Sequence, residues 1–208
     1  MTTLLYINAS PRGDAAASTQ AAAHFLAALP EEVKVERMDL FHAGLPEYTT
    51  VLASAKQKFL MGQALSEEEQ QEWQAVTQLV EQFVSADHFL FGVPMWNFNL
   101  PYKLKQYIDL ITHPGLTFKA DKQGVRGLAS GSATVIYSRG GDYSPKDGQP
   151  DPFDFQSPYM KAWLGLVGLA PVTEVLVQTT MAGPDALAAS VQGAEAQLIA
   201  AAQQLGDG

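Results

Sequence analysis

The stretch Leu4–Thr19, LLYINASPRGDAAAST, decides the fold class of this chain. Leu4–Ala9 is a short apolar run of strand formers that stops abruptly at the polar residues Ser10–Gly13. The Ala-rich segment Ser18–Leu29 then carries apolar residues at helical spacing, and Pro30 closes it. A buried strand, a polar turn and a helix are therefore predicted in that order.

The same alternation continues along the chain. Further strands are predicted at Val33–Leu40, His88–Val93, Ser132–Tyr137 and Val172–Gln178. Further helices are predicted within Leu45–Gly62, behind a capping box at Ser66, and at Pro101–Ile111, Pro158–Val167 and Pro184–Leu205, with an irregular excursion at Gly115–Gly131. This pattern predicts a single α/β domain over residues 1–208, with a five-stranded parallel sheet in the flavodoxin-like order 2-1-3-4-5 and helices on both faces.

The composition argues against several classes of function. The 208 residues include 22 acidic and 13 basic ones, and the net charge of −9 argues against a nucleic-acid partner. The absence of cysteine excludes disulfides, thiolate metal sites and a cysteine nucleophile. The start of the chain lacks the features of a signal peptide, and no stretch approaches the ~20 apolar residues that span a bilayer. A cytoplasmic protein that binds neither a metal nor a membrane is expected.

The sequence also lacks several familiar motifs. The main alternative to the flavodoxin-like order is the dinucleotide-binding order, but its fingerprint G-x-G-x-x-G does not occur. The P-loop, the G-x-S-x-G nucleophile elbow and H-E-x-x-H do not occur either. The four histidines are scattered singly, at positions 24, 42, 88 and 113.

Three loops with unusual sequences are expected to meet. In a sheet of order 2-1-3-4-5, ligands bind beyond the carboxyl ends of the strands, between the first strand and the third. The loops that leave the first, third and fourth strands contain SPRGDAAAST at 10–19, PMWNFN at 94–99 and SRGGDYSP at 138–145. We refer to them as the first, second and third loops.

The first loop has the composition of an anion site. Its small residues would let backbone amides close around a negative group, and the dipole of the following helix would favour the charge. The alternative is an ordinary N-cap at Ser18 or an adjacent position. Arg12 would either reach a phosphate or face solvent.

The second and third loops have the composition of a ring site. Trp96 and Phe98 would give apolar walls to a planar ring, and Asn97 would meet its polar edge; the alternative is that the apolar residues pack in the core around a turn at Asn97. In the third loop, Gly140 and Gly141 permit close backbone approach beside a hydroxyl and the charge of Arg139. An ordinary glycine turn is the alternative there.

Together these residues give the chain a recognisable likeness. The sequence resembles the bacterial FMN-dependent NADH:azoreductases, which belong to the flavodoxin-like quinone reductase superfamily, along nearly its whole length. The likeness runs through the three loops and through Gly115–Phe118. It implies FMN, held without a covalent bond, at Ser10, Ala16, Ala17, Ser18, Pro94, Met95, Trp96, Asn97, Phe98, Ser138, Arg139, Gly140 and Gly141.

The resemblance also implies an activity. NADH or NADPH would pass hydride to FMN and leave, after which a quinone or an aromatic azo compound would take the same place and be reduced, a ping-pong cycle in which no side chain need act as acid, base or nucleophile. Asn97 and Gly141 would tune the flavin at its polar edge. The family forms homodimers with shared active sites. The acceptor pocket would be lined by Asn97, Phe98, Phe118 and Trp163.

Three residues depart from the family pattern, and two alternative functions are compatible with the sequence. Ala16 stands where the family often has Ser, Ala120 replaces an aromatic residue of some relatives, and Trp163 stands where Phe is frequent. One alternative function is an electron-carrying flavodoxin that docks on partner proteins, although the aromatic segment Phe153–Trp163 looks more like pocket walls. The other is a phosphodiesterase acting on acyl carrier protein, which would call for a metal or a poised nucleophile.

Overall fold

A central parallel sheet organises the chain, whose computed structural model describes residues 2–206. The strands are β1 (Thr3–Asn8), β2 (Lys34–Asp39), β3 (His88–Pro94), β4 (Phe118–Asp121), β5 (Gly124–Gly127), β6 (Ser132–Ser138) and β7 (Val172–Val177). Five of them form the sheet in the order β2-β1-β3-β6-β7, and every neighbouring pair is parallel. The predicted flavodoxin-like order is confirmed.

Helices cover both faces of this sheet. They are α1 (Ala17–Ala27), α2 (Thr50–Leu60), α3 (Glu67–Ser85), α4 (Tyr102–Ile111), α5 (Gln156–Val167) and α6 (Pro184–Gln203). The first and last pack on one face, and α3, α4 and α5 pack on the other, with α2 against α3. The predicted capping box of α3 is present, because Ser66 and Glu69 exchange hydrogen bonds. Within residues 2–206, no helix is both long enough and apolar enough to cross a bilayer.

Apolar residues on both sides of the strands build the two cores. In β1, Leu5 and Ile7 face the core under α3 to α5, while Leu4 and Tyr6 face the core under α1 and α6. A strand covered on both faces is apolar at consecutive positions, which explains why β1 is easy to recognise in the sequence.

The predicted irregular excursion at Gly115–Gly131 is wrong in part. It contains the antiparallel hairpin β4–β5, in which Phe118 pairs with Gly127. The hairpin strands have only four residues each, and their residues are mostly exposed, so no alternation of apolar residues marks them in the sequence. The predicted helix at Pro158–Val167 begins two residues earlier, at Gln156.

The hairpin and the three loops lie at opposite ends of the sheet. The amide of Ala129 donates to the carbonyl of Val167, the last residue of α5, and the amide of Ala170 donates to Gly131 just before β6. The end of α5 and the hairpin therefore adjoin the amino end of β6. The three loops leave the carboxyl ends of β1, β3 and β6.

Candidate functional site

The first loop enters α1 without a side-chain cap. Ala16 is the N-cap, and the amides of Ala17 and Ser18 donate to no acceptor among residues 2–206. The hydroxyl of Ser18 is buried and also lacks a partner in this part of the chain. Open amides at the positive end of a helix dipole, beside an unpaired hydroxyl, suit an anion such as a phosphate. The alternative that Ser18 is an ordinary N-cap is wrong, because it lies inside the first helical turn.

A buried amide side chain fixes the start of this loop. Asn8 accepts from the amide of Ser10 at 3.2 Å and donates through Nδ2 to Asp39 at 2.6 Å. It thereby ties the loop to the end of β2. Asn8 was not among the predicted site residues, although an amide at the end of an apolar strand is a signal that sequence reasoning could use. The side chain of Arg12 is exposed to solvent.

The second loop is a tight hairpin turn under backbone strain. Trp96 and Asn99 exchange two hydrogen bonds of 2.9 and 3.0 Å, and the two residues between them have positive φ, 47° at Asn97 and 69° at Phe98. Two residues in this conformation form a type I′ turn, in which Asn and Gly are favoured. A Phe there costs roughly 1–2 kcal/mol. Such strain clusters at functional sites.

The turn presents its aromatic ring to solvent. Phe98 is 43% exposed, with its ring centroid 5.1 Å from that of Phe153 and 6.3 Å from that of Tyr143. The alternative of core packing is therefore wrong for Phe98. Trp96 and Met95 are half-buried. Trp96 and Phe98 both lie at this edge, and so does Tyr143 of the third loop, which was not among the predicted site residues.

The third loop has free amides and occupied carbonyls. The carbonyls of Arg139, Gly140 and Gly141 accept from the amides of Thr180, Met181 and Thr179, respectively, in the loop after β7. The amides of Gly140 and Gly141 donate to no residue in the described part of the chain. A Cβ at position 140 would lie 2.7 Å from Sδ of Met181. These two amides are available to acceptors on the edge of a ring.

The charge of Arg139 is buried in an ion pair and is not presented to a ligand by the third loop. Its guanidinium is 2% exposed and pairs with Asp154 at 2.8 Å, and it donates to Gln156 at 3.0 Å and to Gln178 at 3.3 Å. Burial acts to raise the pKa of Asp154, but hydrogen bonds from Ser157 and the charge of Arg139 outweigh it and hold that pKa below its usual value. The backbone of Arg139 is not open to a ligand either, because its amide donates to Val177 at 2.8 Å and its carbonyl accepts from Thr180. The side chain braces the loop from beneath.

A cleft of about 600 Å³ adjoins the second loop. Aromatic rings supply much of its wall, and the charge of Lys105 is held in a 2.6 Å ion pair with Asp109. A space lined by aromatic rings suits a planar organic molecule. Its lining residues are Tyr48, Trp96, Asn97, Asn99, Leu100, Tyr102, Lys105, Gln106, Asp109 and Tyr159.

The structure does not bring Phe118 and Trp163 into the cleft of their own chain. Phe118 lies on the hairpin at the amino end of the sheet. Trp163 is 4% exposed, packs against Phe83 and Phe91, and donates through Nε1 to Thr112 at 3.0 Å. Its exposed edge lines a groove between α4 and α5 that adjoins the cleft, because Asp109 and Tyr159 line both. Within residues 2–206, no three His, Asp or Glu side chains lie together as metal ligands.

The fold is that of an α/β protein, and the three loops form a candidate anion site and a candidate ring site at the carboxyl end of its sheet. The family model for the flavodoxin-like fold matches residues 2–202, and the chain belongs to that family. It is 39% identical to FMN-dependent NADH:quinone oxidoreductase 3 of Pseudomonas fluorescens, over 99% of this chain and 98% of that one. It is 42% identical to the FMN-dependent NADH:quinone oxidoreductase of Desulfotalea psychrophila, over 87% of each chain.

A solved structure agrees with these relatives. The FMN-dependent NADH-azoreductase of Bacillus anthracis, determined in complex with FMN, superimposes with a TM-score of 0.87 at 29% identity and covers 99% of each chain. The family predicted from the sequence is confirmed.

Proposed function

We propose that this chain binds FMN without a covalent bond and catalyses the transfer of hydride from NADH to quinones and aromatic azo compounds. One observation carries the proposal: amides without an acceptor occur in both the first loop, at Ala17–Ser18, and the third loop, at Gly140–Gly141. The strained aromatic turn of the second loop leaves the same end of the sheet. The names of the relatives support the cofactor and the co-substrate.

Each loop has a separate task in this proposal. Ser10 and the amides of Ala17 and Ser18 would hold the phosphate, with the helix dipole compensating its charge. Residues 94–98 would wall the ring, and the amides of Gly140 and Gly141 would donate to its polar edge. When bound, FMN supplies a carrier that accepts a hydride from NADH and delivers it to the acceptor. The chain itself binds, orients and excludes water.

NADH and the acceptor would use one pocket in turn. In this proposal the three loops would cover one face of the flavin ring, so both substrates would approach the other face, beyond Phe98. A second copy of the chain would complete this pocket, because Phe118 lies at the other end of the sheet and Trp163 lines only the groove that adjoins the cleft of its own chain. A homodimer that places these residues of one copy over the loops of the other fits both observations.

Titration and kinetics test the proposal. We expect the purified protein to bind one FMN per chain and to oxidise NADH with a quinone, giving parallel double-reciprocal lines. Intersecting lines would contradict a shared pocket. FMN binding without NADH oxidation would favour the electron-carrying flavodoxin, and hydrolysis of acyl carrier protein by the flavin-free chain would favour the phosphodiesterase.

A further inference from the structure

A buried amide side chain links the second and third loops. Gln156 is 0% exposed although it is the first residue of a helix. Its Nε2 donates to the carbonyl of Val93 at 2.9 Å, and its Oε1 accepts from Nε of Arg139 at 3.0 Å. Val93 directly precedes Pro94, and Arg139 directly precedes Gly140. One side chain therefore spans the points where the two loops begin.

The two residues before Gln156 make parallel connections. Asp154 holds the guanidinium of Arg139 at 2.8 Å, and the amide of Phe155 donates to the carbonyl of Phe98 at 3.1 Å. Three consecutive residues thus contact either the second loop, the third loop or both. We refer to Asp154–Gln156 as the bridging segment.

The start of α5 does not by itself require a buried glutamine. Oδ1 of Asp154 already accepts from the amides of Gln156 and Ser157, at 3.1 and 3.0 Å, so the first two amides of the helix have a partner. An amide side chain withdrawn from water is unfavourable unless its polar atoms are paired. Both ends of this one are paired with the bases of the two loops rather than with the helix.

We propose that Gln156 is a positioning residue that sets the separation of the second and third loops, and through it the affinity of the chain for FMN and the reduction potential of the bound flavin. The inference rests on the proposed function, in which one loop walls the ring and the other donates to its polar edge. A change in their separation would alter the fit of the ring between them. It would also alter how well the open amides compensate charge on the reduced flavin.

Two variants separate positioning from simple loss of stability. Gln156→Met keeps the length of the side chain but removes both hydrogen bonds. The matched control is Thr117→Val, because the Thr117 hydroxyl is also 0% exposed and donates to the carbonyl of Ile111 at 2.8 Å, near the hairpin at the other end of the sheet. Each variant loses buried hydrogen bonds, but only one lies between the loops.

FMN titration followed by flavin fluorescence, and the midpoint potential of the bound flavin, are the readouts. We expect Gln156→Met to raise the Kd for FMN roughly tenfold or more and to shift the potential. Thr117→Val should lose stability and keep both values. If Gln156→Met does not fold, Gln156→Glu retains the acceptor for Arg139, loses the donor to Val93 and should change both values in the same direction.

Three results would overturn the inference. One is a Gln156→Met protein with wild-type Kd and potential, or, where that variant does not fold, a Gln156→Glu protein with wild-type values. Another is a Kd that rises equally in Gln156→Met and Thr117→Val, which would assign the glutamine to general stability. A wild-type chain that fails to bind FMN would overturn the proposed function as well, whereas the first two results leave it standing.

Discussion

The two ends of the parallel sheet are built in opposite ways. At the carboxyl end, the amides of Ala17, Ser18, Gly140 and Gly141 have no acceptor among residues 2–206, and the turn at 97–98 is strained. At the amino end, the hydroxyl of Thr117 accepts from the amide of His113 and donates to a carbonyl, which closes the turn before the hairpin. The comparison indicates that the chain is locally less stable at the end of the sheet where a ligand would bind.

The largest contrast should come from the ion pairs at the two ends. Arg139→Met leaves the nearly buried carboxylate of Asp154 without its partner, and we expect the free energy of unfolding to fall by about 3–5 kcal/mol. Arg126→Met breaks the exposed pair with Asp121 on the hairpin and should change it by less than about 1 kcal/mol. Urea unfolding measures both, and equal losses would break the contrast.

The pH dependence of stability should come from the amino end. Burial lowers the pKa of His113 to about 4, and the charge of Lys56 acts in the same direction. Below the unfolded pKa of ~6.5 the unfolded chain therefore binds the proton more readily, so stability should fall by about 3 kcal/mol between pH 7 and pH 4. The pKa of Asp154 is lowered in the folded chain, so its contribution to the free energy of unfolding is lost only below the pKa of ~3.9 that it has in the unfolded chain.

Substitution of the histidine sharpens this prediction. His113→Gln should flatten most of the decline measured by urea unfolding between pH 7 and pH 4. His42→Gln is the control, because His42 is exposed. The pKa of His88 is also lowered, mainly by burial, so a smaller decline should persist. An unchanged profile in His113→Gln would assign the effect elsewhere.

A change at the third loop should affect the ligand more than the fold. In Gly141→Val the added branches stand beside an open amide, and we expect the Kd for FMN to rise roughly tenfold or more, a free-energy change of about 1.4 kcal/mol. In Ala16→Ser a small hydroxyl appears at the N-cap, where it can itself donate to a bound phosphate, so the Kd should stay within about threefold. Fluorescence titration that gives equal Kd values would contradict the placement of the third loop.

The smallest effect should come from relief of the strained turn. Phe98→Gly creates the Asn-Gly pair that a type I′ turn favours, and we expect it to raise the free energy of unfolding by about 0.5–1 kcal/mol. The same change removes an aromatic wall and should lower kcat/KM for the quinone. A destabilised protein with unchanged kinetics would show that the ring serves the fold and not the site.

The sequence predicts the strands and the loops for a physical reason. β1, β3 and β6 are apolar on both faces and end where a turn interrupts the apolar run, so their positions can be inferred from local pattern, and the alternation of strands with helices gives the class of sheet. The hairpin β4–β5 could not be inferred, because its residues face solvent and carry no periodic signal. The burial of the Arg139 side chain could not be predicted either, because its partners are distant in sequence. They are Asp154, Gln156 and Gln178.

The position of the hairpin has a consequence for how such proteins diversify. Because β4 and β5 lie at the amino end, changes in their length or sequence leave the loops of their own chain untouched. In the proposed homodimer they would reshape only the acceptor side of the neighbouring copy. Cofactor binding and acceptor range would then be encoded by separate parts of one chain, so that a library of hairpin variants at residues 118–127 could explore new acceptors without loss of the flavin.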